Sequence, residues 1–114
     1  MTLEEFLKTL HSEPESIEFD HTMAVIESEY SFTPTPFSNG DLSNSANENN
    51  GSCKIFAFAQ LQALDADQTL ACFGRYYRDD VLKDPDGTSH SNIRSFMQHG
   101  WIGIEFDGMA LTAS

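Results

Sequence analysis

Cys53 stands directly behind Gly51-Ser52 and ahead of Lys54, at the start of a run that reads as helix. A thiol at a helix N-terminus sits at the positive end of the macrodipole, and an adjacent cation adds to it, so the setting favours the nucleophilic thiolate. Such a nucleophile needs a base, and His90, His99 and Asp107 follow in the chain order that papain-like enzymes use. The chemistry on offer is that of a thiol-dependent hydrolase or transferase, with Cys53 as nucleophile and His90 or His99 as its partner. Three residue types in order do not fix a geometry. The competing reading, favoured by the apolar run that follows, packs Cys53 as a small hydrophobe, and Cys72 between Ala71 and Phe73 reads the same way.

Arg75, Tyr76, Tyr77 and Arg78 form the one dense basic and aromatic cluster. Guanidinium and phenol groups of this kind suit a carboxylate or a peptide, which makes Arg75, Tyr76 and Arg78 candidate ligand-binding residues. Asp79 and Asp80 stand beside them, so local ion pairing is the plainer expectation. No metal is expected. The four histidines share no HxxxH or HExxH spacing, and a calcium loop built on Asp84 and Asp86 would need a ligand at Leu82 and a Glu at Ile93. No phosphate-binding glycine loop, nucleophile elbow or dinucleotide fingerprint occurs, and no cofactor is implied. Glu13, Glu15, Glu18 and Asp20 suit a basic partner, but acids in a first turn also simply favour the helix dipole.

The elements that must position these residues are mostly helical. Thr2 and Glu5 make a capping box ahead of Leu3, Phe6, Leu7 and Leu10, and a second helix is expected from Pro14 with Phe19, Met23, Ile26 and Tyr30 on one face. Thr33-Pro34-Thr35-Pro36 must end it. Residues 37–52 carry five asparagines and read as one long loop. Ser52 then caps a helix, Cys53 to Leu64, that is apolar almost all round and should be the central buried one. Asp65 and Gln68 box the next helix, expected to run to Leu82 with Arg75 and Asp79 paired one turn apart. Ser89 caps a short helix that ends at Gly100. Trp101 to Phe106 and Met109 to Thr112 alternate about Asp107-Gly108, which predicts a hairpin burying Ile104, Phe106, Met109 and Leu111 on one face. The extended Phe32 to Phe37 segment is available as a further strand. The fold class is therefore α+β: one domain over residues 1–114, mainly helical, with a C-terminal hairpin.

Charge narrows the partners. Six Lys and Arg against eighteen Asp and Glu leave −12, with −9 in residues 1–50 and −3 in residues 51–114. A polyanion repels phosphate backbones and anionic bilayers, so neither nucleic acid nor membrane is an expected partner. No apolar run approaches the ~20 residues of a membrane span, and no basic then apolar leader opens the chain.

Five stretches together resemble the HopJ family of small bacterial proteins, described as type III effectors: PESIEFDHTMAVI from Pro14, FTPTPFSNGDL from Phe32, GSCKIFAFAQL from Gly51, TLACFGRYYRDDVL from Thr69 and HSNIRSFMQHGWIGIEFDGMALT from His90. The resemblance covers nearly the whole chain. It brings no catalytic or ligand residues, and it implies a protein made in the bacterial cytoplasm and exported into a host cell. Residues 2–11 read instead as a capped amphipathic helix, unlike a polar export signal. The expected role is a small acidic binding domain for a protein or small-molecule partner, with the Cys53 enzyme as the alternative.

Overall fold

Helix α1 (Leu3–Ser12) forms where its local signals put it. In the computed structural model, which describes residues 1–114, Thr2 Oγ1 accepts from the Glu5 N–H at 3.1 Å and Glu5 accepts from the Thr2 N–H at 2.9 Å. Its inner face carries Phe6 and Leu10 into the core. After a 3₁₀ turn at Pro14–Ser16, α2 (Phe19–Glu29) buries Thr22, Val25 and Ile26, while Phe19 and Met23 only flank the core. Thr22 can be buried because its hydroxyl donates to Cys72 O at 2.8 Å.

Helix α3 (Asn50–Leu61) is the central one, burying Cys53 and every residue from Ile55 to Ala59. Phe56 is its hub: the ring meets Phe37, Phe73, Phe96 and Trp101 at centroid distances of 6.0, 5.6, 5.0 and 6.4 Å. The Asp65–Gln68 capping box opens α4 (Ala66–Ala71), but the helix does not continue to Leu82. Gly74 turns at φ +62°, and a Cβ there would stand 2.6 Å from the Phe19 nitrogen, so a glycine lets the chain pass the start of α2. Beyond it, Tyr76–Val81 winds as a π-helix, a rare form that is frequent at functional sites. Helix α5 (Ser91–His99) ends at Gly100 with φ +65°, as its sequence predicts. None of the helices is long and apolar enough to cross a membrane.

The strands are β1 (Tyr30–Phe32), β2 (Phe37–Asn39), β3 (Leu42–Asn44), β4 (Ile104–Phe106) and β5 (Leu111–Ala113). The segment expected as a loop thus holds the β2–β3 hairpin, turning at Gly40. The C-terminal residues form two strands as expected, but these do not pair with each other: β4 pairs β2 and β5 pairs β1, both antiparallel. The two ladders keep one register, since stepping five residues along both chains from Phe32↔Leu111 lands on Phe37↔Phe106. Thr33 N–H to Ala110 O (2.8 Å) and Asp107 N–H to Pro36 O (3.0 Å) extend the pairing from either side. Between them Pro34 and Pro36 have no N–H to donate, so one ribbon is divided into two short sheets. Because Asp107-Gly108 spans that gap instead of closing a hairpin, Ile104 and Leu111 are buried, Phe106 is partly covered, and Met109 is 71% exposed.

Candidate functional site

Two helices begin at one cleft. Helix α3 starts before the expected Ser52 cap, at Asn49, whose φ of +57° puts it in the left-handed region, and α5 starts at His90, φ +52°, rather than at Ser89. Neither side chain caps its helix, and neither first turn holds an acid. The first N–H of α3 to find an acceptor is Cys53's, on Asn49 O at 3.0 Å, and in α5 it is Ile93's, on His90 O at 3.0 Å. The N–H groups ahead of these, on Gly51, Ser52, Ser91 and Asn92, belong to residues lining a cleft of about 330 Å³. Non-glycine residues with positive φ are uncommon and cluster at functional sites, and here two of them open the helices that face one concavity.

Buried amides fix the spacing of the two starts. Asn49 Nδ2 donates to Asn44 Oδ1 (2.8 Å), Asn92 Nδ2 donates to the same oxygen (3.0 Å), and Asn44 Nδ2 returns a bond to Asn92 Oδ1 (3.2 Å). Asn39 joins through Nδ2, which donates to Asn92 O at 2.8 Å and Oδ1 at 3.0 Å. The β2–β3 hairpin therefore clamps α3 to α5 from beneath.

The opposite wall is aromatic. The π-helix presents Tyr76, whose ring lies 5.0 Å from Phe19 and 5.2 Å from the His90 imidazole. His90 Nε2 donates to Asp80 Oδ2 at 3.0 Å, which orients the ring and leaves Nδ1 as the remaining nitrogen. With Phe73 and Ile93 at the base, the cleft joins rings, hydroxyls, amides and an imidazole, and no carboxylate lines it. In a chain of net charge −12 that is a distinct electrostatic environment. It suits a group that accepts hydrogen bonds, whether neutral or anionic.

The residues singled out by type and spacing fall into three places. Cys53 faces the core: its thiol is 1% exposed and donates to Thr35 O at 3.5 Å, and burial, the largest influence on it, pushes its pKa up. It is not hydrogen-bonded to either histidine. Burial likewise pushes Cys72 up to about 12. His99 leans over the β2–β3 turn with Asp41 Oδ2 at 3.9 Å from its Nε2, away from the cleft. Arg75 and Arg78 do not pair with Asp79 or Asp80. Both hold Glu18, at 3.1 and 2.7 Å, and Arg78 also donates to Ile17 O at 2.7 Å, because the break at Gly74 aims this segment at the start of α2. Asp79 pairs with Lys83 at 3.2 Å. Of the predicted site residues, only His90 and Tyr76 meet in the cleft, while Arg75 and Arg78 meet on Glu18, with Arg75 on the far side of the Phe19–Tyr76 ridge. No cluster of three His, Cys, Asp or Glu side chains able to hold a metal ion occurs.

The family model described as HopJ type III effector protein matches residues 3–111. This chain belongs to the HopJ family. A crystal structure of a protein of unknown function, VPA0580, is 61% identical, covers 100% of this HopJ chain with 95% of its own, and superposes with a TM-score of 0.98. No curated protein matches the chain in sequence. The cleft-lining residues that type and spacing did not mark as candidates are Asn49, Ser52, Ser91 and Asn92. For Asn49 and Ser52 the signal was the Asn-rich stretch read as loop, whose asparagines are in part buried donors and acceptors; Ser91 and Asn92 lie outside it.

Proposed function

We propose that this HopJ protein is a binding domain whose seat is the cleft between the starts of α3 and α5, and that its ligand presents a carboxylate, phosphate or similar acceptor group. The observation that carries this reading is the convergence of His90, Tyr76, two serine residues and two helix starts with free N–H groups on a concavity that no acid lines. Rings that give a ligand surface to rest on, with a few polar donors to fix its orientation, are features of small-ligand sites. The excess negative charge elsewhere repels polyanions, so the acceptor group belongs to a small molecule or to a single side chain of a protein partner rather than to nucleic acid or a bilayer. The family's description supports delivery into a host cell through a type III apparatus as the place where this binding acts.

Amide chemical shifts test the seat. In ¹⁵N-labelled protein titrated with inorganic phosphate and, separately, acetate, Gly51, Ser52, Ser91 and Asn92 should shift saturably, and His90→Ala should weaken the response. Shifts confined to other faces, or none at tens of millimolar anion, refute the assignment. A reporter fusion that fails to enter host cells from a strain with a working secretion apparatus refutes the delivery.

A further inference from the structure

We propose that Asn50 is a site of spontaneous deamidation, which places a new carboxylate beside a cleft whose lining residues include no acid. The chain holds two Asn-Gly pairs, Asn39-Gly40 and Asn50-Gly51. In such a pair the glycine nitrogen, unshielded by a side chain, attacks the asparagine Cγ. A C–N bond forms, ammonia leaves, and a five-membered imide results. Water then opens either imide carbonyl to give aspartate or isoaspartate. The net change is amide plus water to acid plus ammonia, with no oxidant or cofactor involved. Two conditions govern the rate: the side-chain amide must be free to turn towards the next nitrogen, and that nitrogen must be free of an acceptor.

The structure separates the two pairs on both conditions. Asn39 is wholly buried, its Nδ2 donates to Asn92 at 2.8 and 3.0 Å, and the Gly40 N–H donates to Gly103 O at 2.9 Å. Asn50 is half-buried and its side chain makes no hydrogen bond within the protein. The Gly51 N–H precedes the first bonded N–H of the helix, and Asn49 offers no side-chain cap. This first turn is held from one side only, and helix ends fray. Either product carries the new carboxylate at the N-terminus of α3, where the dipole favours a negative charge; aspartate keeps the backbone as it is, whereas isoaspartate inserts a methylene into it at the helix start. Its neighbours Asn49, Gly51 and Ser52 all line the cleft. The inference stands independently of what the cleft binds.

Peptide mapping by mass spectrometry decides it. The folded protein is held for days at mildly alkaline pH and physiological temperature, beside a sample in denaturant. Asn39 reacts only through the opened chain, so in the folded protein Asn50 should convert at least about tenfold faster, while the two keep similar rates in denaturant. Asn50→Gln should remove the acidic species from ion-exchange profiles of the aged folded protein and leave its circular dichroism unchanged. Equal conversion of Asn39 and Asn50 in the folded state, or an intact Asn50 where the denatured chain has reacted, overturns the proposal.

Discussion

Replacing Phe6 by alanine tests whether α1 is part of the folded domain or a detachable leader. Phe6 is fully buried and its ring meets Phe58 edge-on at 5.8 Å. Removing a buried phenylalanine costs about 3–5 kcal/mol, the spread reflecting how far the site collapses, and here the rigid α3 backbone on the far side limits collapse. A domain of 114 residues has roughly 6–17 kcal/mol in total at about 0.05–0.15 kcal/mol per residue, so Phe6→Ala should remove about a sixth or more of it. With a urea m-value near 2 kcal/mol/M, the unfolding midpoint should fall by about 1.5–2.5 M. Lys8→Ala, on the exposed face of the same helix, should stay within about 0.5 kcal/mol. A double-mutant cycle with Phe58→Leu should return about 0.5–1.5 kcal/mol of coupling from the ring pair. A Phe6→Ala midpoint indistinguishable from that of Lys8→Ala would refute the reasoning and detach α1 from the core.

Both thiols should resist iodoacetamide in the folded protein at neutral pH and react together once denaturant is added, whereas selective labelling of Cys53 at mildly acidic pH would restore the nucleophile reading. Glu18 has its pKa lowered from 4.5, first by the hydrogen bond from Arg75 and further by the Arg75 and Arg78 charges. A carboxyl depressed in the fold contributes stability that is full above its unfolded pKa and lost as pH falls through the folded value, so the advantage of wild type over Glu18→Gln in urea melts should be complete near neutrality and shrink below 4.5. Gly74→Ala should cost at least about 1–3 kcal/mol, since it meets both a positive φ and the α2 backbone; thermal melts matching wild type would contradict the close approach. In gel-shift assays at physiological salt the protein should retain no DNA, and a stable shift would contradict the charge argument.

Sequence signals were legible where they act over one turn. Thr2 with Glu5, Asp65 with Gln68, and Gly100 each name their own element, and α3 announces its burial by having no polar face. What stayed hidden depends on partners far along the chain. Asp107-Gly108 is a strong local turn signal, yet the ladder that wins pairs it across Pro34 and Pro36, a contest no short window displays. Asn39 and Asn44 look like loop residues until Asn92, some 50 positions on, supplies the bonds that make burying them tolerable. The cleft was half visible: His90 and Tyr76 were noticed for their chemistry, while Ser52 and Ser89 drew the capping assignments by propensity from Asn49 and His90, the residues that open the helices. Arg75 and Arg78 had acids next door, but the break at Gly74 sends them to Glu18.

The ribbon joining residues 30–39 to residues 104–113 sets the order in which the molecule can be made. Its paired residues lie 65 to 83 positions apart, so the first strand leaves the ribosome long before its mate exists. Until Ile104–Phe106 are free β2 has only β3, until Leu111–Ala113 are free β1 has no partner, and loop-closure entropy defers the pairing further. Helices α1 and α2 can form early, yet the closed domain waits for residues 104–113. A nascent chain of this design stays open, and so accessible to a chaperone or threadable through a narrow pore, until residues 104–113 have emerged.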